Sequence, residues 1–181
     1  MSGKWTWFGF ALWLALSTPA HAASILRLEV APGGGASVVD ARTLVAGDTL
    51  RVWTARYNGL GTYLDAPDAD WDLNGTAATL DRTHGSSILL QATTVGTSAL
   101  VARAGAMESA AAMLTVQPGA PVQLVVRDTP GAGSLLTALD LRSDSTVVLY
   151  AGAQDAFGNW TGATAVDWSV TPSRGVVTPA H

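Results

Sequence analysis

Leu50-Arg51-Val52-Trp53-Thr54-Ala55-Arg56-Tyr57-Asn58 returns 97 residues later as Val147-Val148-Leu149-Tyr150-Ala151-Gly152-Ala153-Gln154-Asp155. The parallel continues beyond each stretch. Leu60-Gly61-Thr62-Tyr63 answers to Phe157-Gly158-Asn159-Trp160, and Ala69-Asp70-Trp71 to Val166-Asp167-Trp168. A strand-like run, a glycine turn, an aromatic just past it and an Asp-Trp pair thus keep their places twice. Self-similarity at such a period predicts one supersecondary unit used more than once.

Around the first copy, apolar residues recur at a period near two: Leu26, Leu28 and Val30; Leu50, Val52 and Thr54; Leu100, Ala102 and Ala104; Ala112, Leu114 and Val116. That period places one face of each strand on a core and the other in water. Turn signals separate the runs at Pro32-Gly33-Gly34-Gly35, Gly47-Asp48, Asn58-Gly59 and Asn74-Gly75. Strands are expected at 25–31, 48–57, 69–73, 77–81, 86–93, 98–104 and 109–116. Ala106 to Leu114 is alanine-rich and has helical propensity, but it is short and runs directly into Thr115-Val116-Gln117-Pro118-Gly119, which favours a hairpin returning near Gly105-Ala106. The expected fold class is therefore all-β: immunoglobulin-like β-sandwich modules in tandem. Trp71 is expected to fill the centre, its ring nitrogen reaching a backbone acceptor, rather than to serve as an exposed sugar platform. Trp168 is its counterpart.

Val116-Gln117-Pro118-Gly119-Ala120-Pro121 reads as a strand end, a short stiff link and a new strand from Val122. The expected organisation is a leader over 1–22, a full module over 23–118 and a partial second module over 119–181. Strands in the second copy are expected at about 122–127, 145–153 and 165–170. Its closing strands have no counterpart before His181, so the chain is expected to continue beyond that residue, with completion by a partner strand as a further option.

Lys4, the apolar run from Trp5 to Leu16 and Ala20-His21-Ala22 read as a secretory signal, with cleavage expected before Ala23. The apolar run is shorter than the roughly 20 residues of a membrane span, so no stable membrane insertion is expected after cleavage. The formal net charge is −4, with no arginine-lysine cluster, which argues against a nucleic-acid partner. The chain contains no cysteine, so disulfides and thiolate chemistry are excluded.

No catalytic, cofactor-binding or metal-binding residue is assigned, and no cofactor is expected. Asp65, Asp68, Asp70 and Asp72 are the densest acidic group and are weighed as calcium ligands against a solvated acidic turn, which is preferred. Asp81, His84 and Ser86 or Ser87 hold the ingredients of a nucleophilic triad without its surroundings, and a polar turn is preferred. Asn74-Gly75-Thr76 and Asn159-Trp160-Thr161 match glycosylation acceptors, which are read as incidental. Tyr63 and Trp160, placed alike after the glycine turn, are the candidate partner-binding residues. Packing against their own loops is the competing reading.

The run Ala153-Gln154-Asp155-Ala156-Phe157-Gly158-Asn159 before Val166-Asp167-Trp168, together with Gly96-Thr97-Ser98-Ala99-Leu100-Val101-Ala102-Arg103-Ala104 before the last strand and Pro118-Gly119, resembles the bacterial immunoglobulin-like repeats of invasin- and intimin-type surface proteins. The first copy departs from the Asp-x-x-Gly-Asn pattern, carrying Asn58-Gly59-Leu60-Gly61-Thr62, so roles of Asp155 and Asn159 do not transfer to it wholesale. The resemblance implies a non-enzymatic stalk or spacer in a secreted or cell-surface protein, with the periplasm as another possible location. Two alternatives stand beside it: an adhesin module binding a surface protein or polysaccharide, and an accessory region of an extracellular hydrolase.

Overall fold

The computed structural model describes residues 23–131, 133–142 and 144–169. The expected leader lies outside them. Everything regular in the described residues is β-strand, arranged in three sheets.

The first sheet runs in the order β1 (Ile25–Glu29), β3 (Thr49–Tyr57), β8 (Ser87–Ala92), β6 (Ala78–Leu80), with β4 (Tyr63–Asp65) also on β3. The second runs β2 (Ala41–Val45), β11 (Ala112–Gln117), β9 (Gly96–Ala104), β5 (Ala69–Gly75), β7 (His84–Gly85), with β10 (Met107–Glu108) on β9. All pairings are antiparallel except β2 with β11, which is parallel. The third sheet contains β12 (Gln123–Arg127), β13 (Tyr150–Gln154) and β14 (Trp160–Ala163).

Period-two patterning determines which faces are buried. In β11, Ala112, Leu114 and Val116 are buried while Met113, Thr115 and Gln117 face out. In β5, Ala69 and Trp71 are buried while Asp70 and Asp72 are exposed. Leu26, Leu28, Val52, Ile88 and Leu90 of the first sheet join Trp71, Leu100, Ala102 and Leu114 of the second in one apolar cluster. Each fully buried leucine or isoleucine contributes about 1.5–3 kcal/mol relative to exposure. Trp71 lies in this cluster, and its Nε1 donates to the Gly85 carbonyl at 2.8 Å. The 106–114 segment is the expected hairpin, with β10 returning on β9 after Gly105.

Two expectations for the second copy need correction. The strand expected at 145–153 begins only at Tyr150, and residues 165–169 form no strand. Trp168 is half-buried and off any sheet, unlike Trp71. The reason lies in the ladder. In the first copy the Asp-Trp strand β5 is held by its ladder with β9, whereas residues 165–169 pair with no strand among the described residues. Without such a neighbour their backbone groups have no sheet partner.

Candidate functional site: the junction between the second and third sheets

The two copies share a hairpin in detail. Tyr57 pairs with Tyr63 and Gln154 with Trp160, and a register shift precedes each pair at Arg56/Tyr57 and Ala153/Gln154. Asn58 and Asp155 then organise the same loop. Asn58 Oδ1 accepts from the Leu60 and Thr62 N–H groups at 3.0 and 2.9 Å, and Asp155 Oδ1 accepts from Phe157 and Asn159 N–H at 2.9 Å each. The backbone closures also match: Asn58 N–H to Thr62 O and Asp155 N–H to Asn159 O are both 3.0 Å. Gly61 and Gly158 each hold φ at 81°, a left-handed conformation in which glycine is favoured.

The copies differ in what the loop touches. Asp155 Oδ2 accepts from the Gly119 N–H of the link at 2.8 Å and from Asn159 Nδ2 at 2.9 Å. Asn159 in turn grips the Thr93–Val95 turn of the first copy. Its Nδ2 donates to the Thr93 carbonyl at 2.8 Å, and its Oδ1 accepts from the Val95 N–H at 2.9 Å. Both side chains are buried. The Phe157 ring covers Gly47, where an added Cβ would meet it at 3.3 Å. Gly119 is equally confined, since a Cβ there would meet Ala46 O at 3.0 Å and Asp155 Oδ2 at 3.3 Å.

The electrostatics favour the ionised latch. Burial pushes the Asp155 carboxyl upward, but the Asn159 amide and the N–H groups of Gly119, Asn159 and Phe157 together hold it below the ordinary aspartate value. All four of these contacts are donors, so a proton on the carboxyl would displace one of them. Asn159 uses both ends of its amide in the junction, so the glycosylation match at that residue is not an available acceptor in the folded chain.

Tyr63 is half-buried, its ring edge-on to Tyr57 with centroids 5.8 Å apart, and it sits where a Cβ on Gly34 would fall at 2.5 Å. Trp160 is half-buried and lies across Gly152, with the Arg127 guanidinium 5.7 Å from its ring centroid. The two aromatics are on different sheets. Beside Tyr63 lies a polar cluster that the sequence reading did not find. Tyr57 Oη donates to buried Glu29 Oε1 at 2.6 Å and accepts from the Gly35 N–H at 2.7 Å. The Glu29 contact is the main cause of a raised Tyr57 pKa.

The other candidates are dispersed. Asp70 pairs with His84 at 2.9 Å, and Asp72 lies 3.4 Å from Arg103, which also binds Glu108. Asp81 accepts from the Leu89 N–H at 2.7 Å and pairs with Arg82, so Asp81 and His84 are directed at different partners. Among the described residues no three acidic, histidine or cysteine side chains converge as metal ligands, and no helix is long and apolar enough to cross a membrane. No protein-family model matches the chain, and no curated protein matches it.

Proposed function

We propose that the chain is a non-enzymatic spacer segment of an exported or cell-surface bacterial protein, built from immunoglobulin-like β-sandwich modules in tandem. The observation that carries this reading is the junction. Asp155 and Asn159 bind both the link and the far turn of the preceding copy, spending buried polar groups on holding two units together. A stiff Pro118-Gly119-Ala120-Pro121 link, the repeat and the leader-like start at Lys4 to Ala22 support it further. Resemblance to the invasin- and intimin-type repeats points the same way. Small-angle scattering of the exported chain tests the reading. A spacer gives a profile fitted by one fixed arrangement of the two units, whereas a profile that requires a broad ensemble counts against it.

Binding of a surface protein or polysaccharide through Trp160 or Tyr63 is the second reading. Trp160 supports it, because its ring is supported from beneath by Gly152 and remains half-exposed. Saturable glycan binding lost in Trp160→Ala, with the melting transition retained, would favour it over a spacer.

A further inference from the structure

The 155–159 loop performs two separable tasks, and the first copy shows which atom folds the loop. Folding the loop needs one side-chain oxygen at its first position, since Asn58 Oδ1 and Asp155 Oδ1 make the same two contacts. Docking needs more: a second oxygen at the first position, which accepts from the Gly119 N–H of the link, and an amide four residues later, which reaches the Thr93–Val95 turn of the preceding unit. Asparagine at the first position would turn an NH2 group toward the Gly119 N–H and Asn159 Nδ2, setting donor against donor. Threonine at the last position cannot both donate to Thr93 O and accept from Val95 N–H with the spacing an amide provides. The apical side chains of the two loops also differ in what they meet. Leu60 is 88% exposed, whereas its counterpart Phe157, at 43%, lies over Gly47.

We infer that positions 155 and 159 form a two-residue docking code: Asp with Asn fastens a unit onto the turn and link of the unit before it, and Asn with Thr leaves the same loop folded but undocked. This rests on reading the copies as docked modules. On this inference the partner surface recognised by the loop is chemically defined. It comprises a free carbonyl and N–H two residues apart on a turn, a glycine N–H in the link, and a glycine that admits an aromatic ring.

Amide hydrogen exchange by NMR on the exported chain and on Asp155→Asn/Asn159→Thr separates the two tasks. The Gly119 and Val95 amides should exchange at least about tenfold faster in the variant, while the amides at 157 and 159 keep their protection. The reciprocal Asn58→Asp/Thr62→Asn variant should leave the amides at 60 and 62 protected. Loss of protection at 157 and 159 together with Gly119 and Val95 would show that loop and latch are one device and overturn the code. Unchanged exchange at Gly119 and Val95 would also overturn it. Should the double variant unfold, Asn159→Thr alone must still free Val95, because Asp155 continues to hold the loop; retained protection there sinks the inference. Rapid exchange of Gly119 and Val95 already in the unsubstituted chain would instead defeat the docked-module reading and the code with it.

Discussion

Individual residues show how much work single polar atoms do in this chain. Asp155 is the clearest case, because its folded pKa lies below the ordinary value of 3.8. A depressed carboxyl contributes stability at pH values above the unfolded value and loses it as pH falls through the folded one. Melting temperature should therefore fall on acidification below about pH 4 through loss of the latch, a component that Asp155→Asn removes. The check is the difference in Tm between the two proteins across pH, which should be flat near neutrality and shrink in acid. Trp71 tests the core. With 4% exposure and its Nε1 bonded to Gly85 O, Trp71→Ala should cost about 3–5 kcal/mol in a denaturant titration. Tyr57 offers a third test. Removing its hydroxyl leaves buried Glu29 and the Gly35 N–H without their partner, so Tyr57→Phe should lower Tm clearly more than Tyr63→Phe.

Strands were legible where one face was strictly apolar. Leu26 and Leu28, Val52 and Thr54, Ala112, Leu114 and Val116, and Trp71 all carried period two, and they lie in β-strands with those residues buried. The missed strands lacked that signal. Ala41–Val45 is an edge strand with no fully buried residue, and its parallel pairing with Ala112–Gln117 depends on a distant segment. Tyr63–Asp65 and Trp160–Ala163 are short returns of the two hairpins and have no alternating core face. The 165–170 expectation failed for the opposite reason. The Asp-Trp signal was present, but the ladder that makes Ala69–Gly75 a strand has no counterpart at 165–169 among the described residues. Glycine-rich Pro32–Gly35 carries a turn signal, and in the fold it also lies against the Tyr57–Tyr63 pair. Gly33 and Gly34 have φ of 94° and 78°, so alanine at either is strained by about 1–3 kcal/mol. Only at Gly34 does the new Cβ also strike the Tyr63 ring, so Gly34→Ala should be the more destabilising of the two in a thermal melt.

At the scale of the whole molecule, the sequence displays the Asp155 to Asn159 motif without revealing what it touches. The Asp155 to Asn159 pattern was visible, as was its absence at Asn58 to Thr62. The targets of those side chains were not, because Thr93, Val95 and Gly119 participate through backbone atoms that carry no residue-type signature. Tyr63 and Trp160 are conspicuous in the sequence as aromatics, whereas the junction contacts belong to the buried Asp155 and Asn159. The absence of cysteine makes the central claim directly measurable, since two introduced thiols at exposed Thr79 and Ala163 would be the only labelling sites. Electron–electron double resonance between spin labels at these positions should give one narrow distance distribution in the otherwise unsubstituted chain and a broad one when Asp155→Asn and Asn159→Thr are added. A distribution already broad before those substitutions, or one that stays narrow after them, would contradict a junction held by the Asp155–Asn159 latch.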